Sequence, residues 1–240
     1  MAYEQGEWIM RGLRRDDPAR LHSPRELIDR VNACGLLPLF RNSVPGFSVE
    51  EMTCPEDWWC GDPARDPWIW RTLCARSGEL AYGKFFGSKA GFVSLEWLPV
   101  FANWRRDGYD FDARWDDGLA SLRQKKLMDL FADGTEYFTY EAKQRAGFGK
   151  GGEKNFEGVV TQLQMQTYLV VRDFRCRKNR LGEDYGWPIA VLSTPESVWD
   201  FACVSACYAE KPAVSRERVY ARVRELFPRG SEAQLRAILK

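Results

Sequence analysis

Histidine is almost missing from this chain, with His22 the only one in 240 residues. That scarcity, with His22 in a polar segment beside Pro18 and Pro24, weighs against histidine-based triads and against zinc sites built from several imidazoles. Cysteine pairs at CxxC spacing are also missing, and the count of seven is odd, so no disulfide framework is expected. Cys203 and Cys207 would lie one helical turn apart, which suits either a metal or two small buried side chains. An excess of either charge is lacking too: 35 basic residues face 34 acidic ones, for a net charge of +1. A dedicated nonspecific nucleic-acid binder carries a basic excess, so any DNA affinity must come from local asymmetry. No apolar run approaches the ~20 residues of a membrane span, and no apolar N-terminal stretch reads as a signal peptide. A cytoplasmic protein without a membrane partner is expected.

Aromatic residues, in contrast, are plentiful at 14%, with ten tryptophans. Hydrophobic residues at 45% and charged ones at 29% are ordinary for a globular chain, and the length allows one large domain or two modest ones. Residues 1–22 read as a charged arm with at most a short helix. SPRELIDRVNACG then predicts a helix with Ser23 as N-cap, Pro24 in the first turn, Glu26 closing a capping box and Gly35 as the stop. WIWRTLCARSG reads as a short helix ended by Gly78. AYGKFF and AGFVS form a hairpin about Gly87-Ser88, and LEWLPVFANWRRDG returns to helix. DGYDFDARWDDG fails the calcium-loop pattern, because Arg114 stands where a ligand is needed, and is expected to be a surface loop capping the next helix.

From residue 119 the pattern becomes helix (LASLRQKKLMDLFADG), short helix (TYEAKQRAG, with Thr139 as N-cap) and helix (EKNFEGVVTQLQMQ). The strands TYLVVRDFRCR and PIAVLST follow, which is the order of a winged-helix module. SRERVYARVRELF and SEAQLRAILK close the chain as two amphipathic helices. The expected fold is α+β, mainly α, with winged-helix units in tandem. Its divisions are an arm (1–22), an aromatic-rich unit that is itself a candidate degenerate winged helix (23–115), a winged helix (116–205) and a C-terminal helical pair (206–240).

Gln162, Gln164 and Gln166 pose the sharpest question in the sequence. A helix advances about 100° per residue, so Gln162 and Gln166 share a side while Gln164 points about 200° away from Gln162. With Phe156, Val159, Val160 and Leu163 as the buried stripe, Gln162 and Gln166 should face outward and Gln164 should not. Recognition therefore suits this helix better than catalysis. Asn155, Gln162 and Gln166 are candidates to read base edges in a major groove. Arg172, Arg175, Arg177, Lys178 and Arg180 on the hairpin, with Lys150 and Lys154 before the helix, are candidates for phosphate contacts. Gly147, Gly149 and Gly152 match a dinucleotide fingerprint only formally, since a helix precedes them where a strand is required. They are expected to form the turn between helices, with nearby amides open to a phosphate.

LIDRVNACGLLPLF, DPWIWR, FVSLEWLPVF and the segment 120–193 together resemble the AlkZ/YcaQ group of winged-helix DNA glycosylases, and most closely its small AlkZ-related members. The resemblance implies tandem winged helices, binding to double-stranded DNA, and removal of alkylated or cross-linked bases without a metal or other cofactor. The family's Gln-x-Gln or Gln-x-Asp signature follows the first helix and glycine, where this sequence has Pro38-Leu39-Phe40; the histidine expected before SLEWLP is absent as well. An excision site would need other residues. Trp68, Trp70, Tyr82, Phe85 and Trp97 are candidates to stack a base, Arg71 and Lys84 to hold phosphate, and Glu96 or Glu79 to serve as the base, with Glu96 the better placed between the FVS strand and WLP. The alternatives are a core made of these same aromatics and a noncatalytic regulator or protein-interaction module.

Overall fold

Ser23 begins the first helix as its pattern requires. The computed structural model describes residues 2–4 and 7–240, and the expected N-terminal arm lies partly outside them. Strands β1 (Ala2–Glu4) and β2 (Glu7–Ile9) pair antiparallel. In α1 (Pro24–Cys34) the Ser23 hydroxyl accepts from the Glu26 amide at 3.2 Å, satisfying one of the orphan N–H groups of the first turn. Glu26 reaches one residue further back than a capping box does, accepting from the His22 amide at 2.8 Å. Leu27, Ile28, Val31 and Cys34 form the buried face. Gly35 stops the helix at φ 87°, where a Cβ would also stand 2.8 Å from the Trp97 ring.

Strand β3 (Leu36–Pro38) follows at once, then a long segment with 3-10 turns at Glu50–Met52 and Pro55–Asp57. Helix α2 (Pro67–Ser77) is capped by Asp66, whose carboxylate accepts from the Trp68 amide at 2.9 Å. The hairpin of β4 (Leu80–Phe86) and β5 (Lys89–Ser94) turns at Gly87-Ser88, as expected. Its second strand sits in the middle of the sheet, in the order β3-β5-β4. Helix α3 (Leu98–Arg106) leads out.

The aspartate-rich stretch is not a loop. Asp110 caps the Ala113 amide at 2.8 Å and starts a short helix, α4 (Phe111–Asp116), a local signal that the search for a metal loop overlooked. The second half then repeats the first in outline. Helix α5 (Leu122–Met128), strand β6 (Tyr137–Phe138), helices α6 (Thr139–Arg145) and α7 (Phe156–Met165), and the hairpin of β7 (Val170–Lys178) and β8 (Asp184–Ser193) build a sheet of order β6-β8-β7. Thr139 is the first residue of α6 rather than its cap; the Phe138 amide instead donates to Glu141 at 3.2 Å.

Short helices α8 (Pro195–Trp199) and α9 (Phe201–Ser205), which propensity alone did not suggest, connect to α10 (Pro212–Leu226) and α11 (Glu232–Ile238). Asn103 on α3 anchors α10, donating to Ser215 at 2.8 Å and to the Glu210 carbonyl at 2.9 Å. One cluster of buried side chains runs from Leu21 to Leu239, so both sheets and the C-terminal helices share a core. No helix among the described residues is long and apolar enough to cross a membrane.

Candidate nucleic-acid interface

Helix α7 resolves the three glutamines into three roles. Gln162 is exposed, on the outward face that the helical period assigns to it. Gln164 is only 3% exposed, and its side-chain oxygen accepts from the Lys84 amide of β4 at 2.8 Å. Gln166 is half-buried and accepts from Gln124 of α5 at 3.1 Å, which takes it out of reach of a base edge. Lys150, Lys154 and Asn155 are all exposed just before the helix. An open cleft of about 360 Å³ lies beside them, lined by Tyr140, Lys143, Phe148 and Lys150. The glycine loop folds on itself: Gly149 donates to the Glu153 carbonyl at 3.2 Å and Glu153 to that of Gly147 at 2.9 Å. Those amides are therefore closed to a phosphate. The Glu153 carboxylate receives Arg123 at 3.0 Å and Lys126 at 2.8 Å, which hold it below the usual carboxylate range.

The basic hairpin is less free than its sequence suggests. Arg172 donates to the carbonyls of Ala75 and Arg76 at 2.8 and 2.6 Å, closing the C-terminal end of α2. Arg175 bonds to Asp173 and to Glu136, both at 2.8 Å, and Arg76 adds a third cation to the group at 3.0 Å from Asp173. Burial by itself raises the Asp173 pKa, but bonds from Arg175, the Phe174 amide and Arg76 outweigh it and hold the carboxyl below its usual range. Lys178 pairs with Asp184 at 2.6 Å. Arg177 lies over the Tyr140 ring at 4.5 Å and is exposed, as is Arg180. Of the five proposed phosphate contacts on the hairpin, Arg177 and Arg180 are thus the ones exposed with no carboxylate partner among the described residues.

The aromatic candidates of the first half mostly form core. Trp70 and Phe85 are fully enclosed and Tyr82 nearly so, which leaves no ring face for a base. Trp97 is half-buried beneath Gly35. Lys84 donates to Thr161 at 3.1 Å, and so braces β4 against α7 instead of meeting phosphate. Arg71, 7% exposed, is sandwiched between Trp68 and Phe174, 3.6 and 3.8 Å from their ring centroids. Burial pushes its pKa down while Tyr82 opposes that shift. The stack ties α2 to β7 across the two halves. Glu96 stands exposed, outside that stack. At Pro38-Leu39-Phe40, proline and leucine are buried, and Phe40 packs against Trp58 and Trp68 at 5.5 and 6.2 Å.

Sequence reasoning passed over the exposed apolar residues of the second hairpin, Leu181, Tyr185 and Trp187. Their place in a polar, glycine-containing hairpin (LGEDYGWP) was the available signal. Among known proteins, the family model described as AlkZ related matches residues 21–240. No curated protein and no solved structure matches the chain.

Proposed function

The chain belongs to the AlkZ-related family, and from that premise we propose that it binds double-stranded DNA in a repair setting through two winged-helix units, at about 23–115 and 116–205. The strand orders β3-β5-β4 and β6-β8-β7, each with the hairpin's returning strand central, support this reading of both halves. In the second unit α7 is the recognition helix and β7–β8 the wing. The observation that carries the proposal is the outward face of this unit. Asn155 and Gln162 are exposed on or beside α7, with Lys150 and Lys154 at its start and Arg177 and Arg180 on the wing. Amide side chains suit adenine edges, and the cations suit the backbone on either side.

Base excision through a glutamine pair has no support at the place where the family's signature falls. Pro38, Leu39 and Phe40 offer no polar side chain to hold a water, and they are packed into the core and the aromatic cluster. Of the two acidic candidates, Glu79 is taken by Arg25 at 2.7 Å and Glu96 stands exposed outside the stack of Trp68, Arg71 and Phe174. The favoured function is therefore recognition of DNA without that chemistry.

Binding and excision are measured on one duplex with and without a cationic alkylpurine. The expected result is binding to both, weakened alike by Lys150→Ala with Lys154→Ala, and no release of the base. Release that is lost in Glu96→Gln, with binding retained, would establish an enzyme instead. No binding to either duplex at low salt would reject the DNA reading.

A further inference from the structure

The second hairpin exposes more apolar surface than its fold requires. Trp187 is 89% exposed and Leu181 82%, while Tyr185 is about half exposed. The backbone is built to produce this. Arg175 pairs with Ile189 and Arg177 with Tyr185, so Gly186, Trp187 and Pro188 all stand opposite Cys176 alone. Gly186 has φ 75°, a left-handed conformation that glycine adopts without strain, and the Cys176 thiol contacts its carbonyl at 3.6 Å. Pro188 has no amide to give to the ladder. A bulge of this kind re-aims a side chain, and here the one it turns into solvent is a tryptophan.

The surroundings indicate what would cover it. Arg177 and Arg180 are free of carboxylate partners among the described residues. Nearby acids are already engaged, Asp184 by Lys178 and Glu183 by Asn179. Tyr140 on α6 is engaged in place, its ring stacked on Phe138 at 5.3 Å and faced by Arg177 at 4.5 Å, so it anchors Arg177 beside the wing while the open aromatic faces are those of Trp187 and Tyr185. Aromatic faces interleaved with unpaired arginines are the make-up of a surface that tracks a phosphate backbone while stacking on bases.

We propose that Trp187, supported by Tyr185, is a stacking platform for unpaired bases, so that the wing prefers DNA with an unstacked nucleotide over fully paired duplex. A base inside a duplex has both faces covered by its neighbours, whereas a bulged one offers a face to the indole. This inference rests on the DNA-binding reading above and adds the class of DNA structure recognised.

The test compares affinities for a plain duplex and for the same duplex with one bulged nucleotide. Wild type should prefer the bulged DNA by about tenfold, the lower part of the range for one stacked base. Trp187→Ala should bring the ratio close to one, and Trp187→Phe should keep most of it. Because the indole is solvent-exposed, loss of the fold is not expected in either variant, and a circular dichroism melt checks this. Arg177→Ala with Arg180→Ala should weaken both complexes and leave the ratio intact. Equal wild-type affinity for the two DNAs, or an unchanged ratio in Trp187→Ala, would overturn the platform while leaving duplex binding in place. Failure to bind either DNA would overturn both readings together.

Discussion

The hairpins β4–β5 and β7–β8 occupy equivalent places in two sheets of the same strand order, yet they do opposite things. The first is buried along nearly all of β4, and its one lysine there is spent on Thr161 of α7. It serves as a strut. The second is buried only near its base and is exposed from Arg177 through Pro188. What separates them is the neighbourhood. α7 and β7 pack against β4, while nothing among the described residues covers the outer part of β7–β8. A repeated strand order therefore does not imply a repeated surface, and among the described residues it is the second hairpin that stands exposed along most of its outer half.

The widest contrast is between two tryptophans. Trp70→Ala beside the first hairpin should destabilise the protein by about 3–5 kcal/mol, because a fully enclosed ring leaves a cavity. Trp187→Ala in the second should change stability by less than about 0.5 kcal/mol. Urea denaturation of both variants measures the difference, and similar values would break the comparison. Next in size is the strut itself. Gln164→Ala leaves the Lys84 amide without its partner and should cost about 1–3 kcal/mol, whereas Gln162→Ala should leave the urea midpoint unchanged and act on DNA affinity alone.

On the exposed side, Arg177→Ala with Arg180→Ala should lower the slope of log affinity against log salt by roughly 2 if each arginine meets one phosphate. Arg175→Ala, which breaks bonds to Asp173 and Glu136, should show itself in stability. The smallest effect concerns pH. Asp173 has a folded pKa below its unfolded value, so its contribution is complete above the ordinary aspartate range and is lost as pH falls through the folded value. A pH series of urea midpoints should be flatter on the acid side in Asp173→Asn than in wild type. An identical acid limb would remove Asp173 from the link between β7 and α2.

Local chemistry was enough for much of this. The Ser23 cap, the Gly35 stop, the Gly87-Ser88 turn and the outward phase of Gln162 each depend on residues within about one helical turn or one hairpin, where side-chain spacing determines the outcome. Which wing cations are paired was not legible for the opposite reason. Arg172 meets carbonyls 97 and 96 residues away, and Arg76 meets Asp173 across 97, so a count of nearby charges says nothing of who is paired.

By itself, then, the sequence determined the longer helices and the two hairpins in their order, the buried stripe of α7 and the chemical kinds of side chain available to a nucleic acid, while the short elements α4, α8 and α9 escaped it. Only the tertiary structure decided which of them remain available. It enclosed Trp70 and Phe85, set Gln164 on the Lys84 amide, locked Arg71 between Trp68 and Phe174, and left Trp187 outside. The physical reason is that secondary structure follows from short-range dihedral and hydrogen-bond preferences. Exposure and ion pairing depend on which distant surface comes to lie against each face, and no local pattern carries that information.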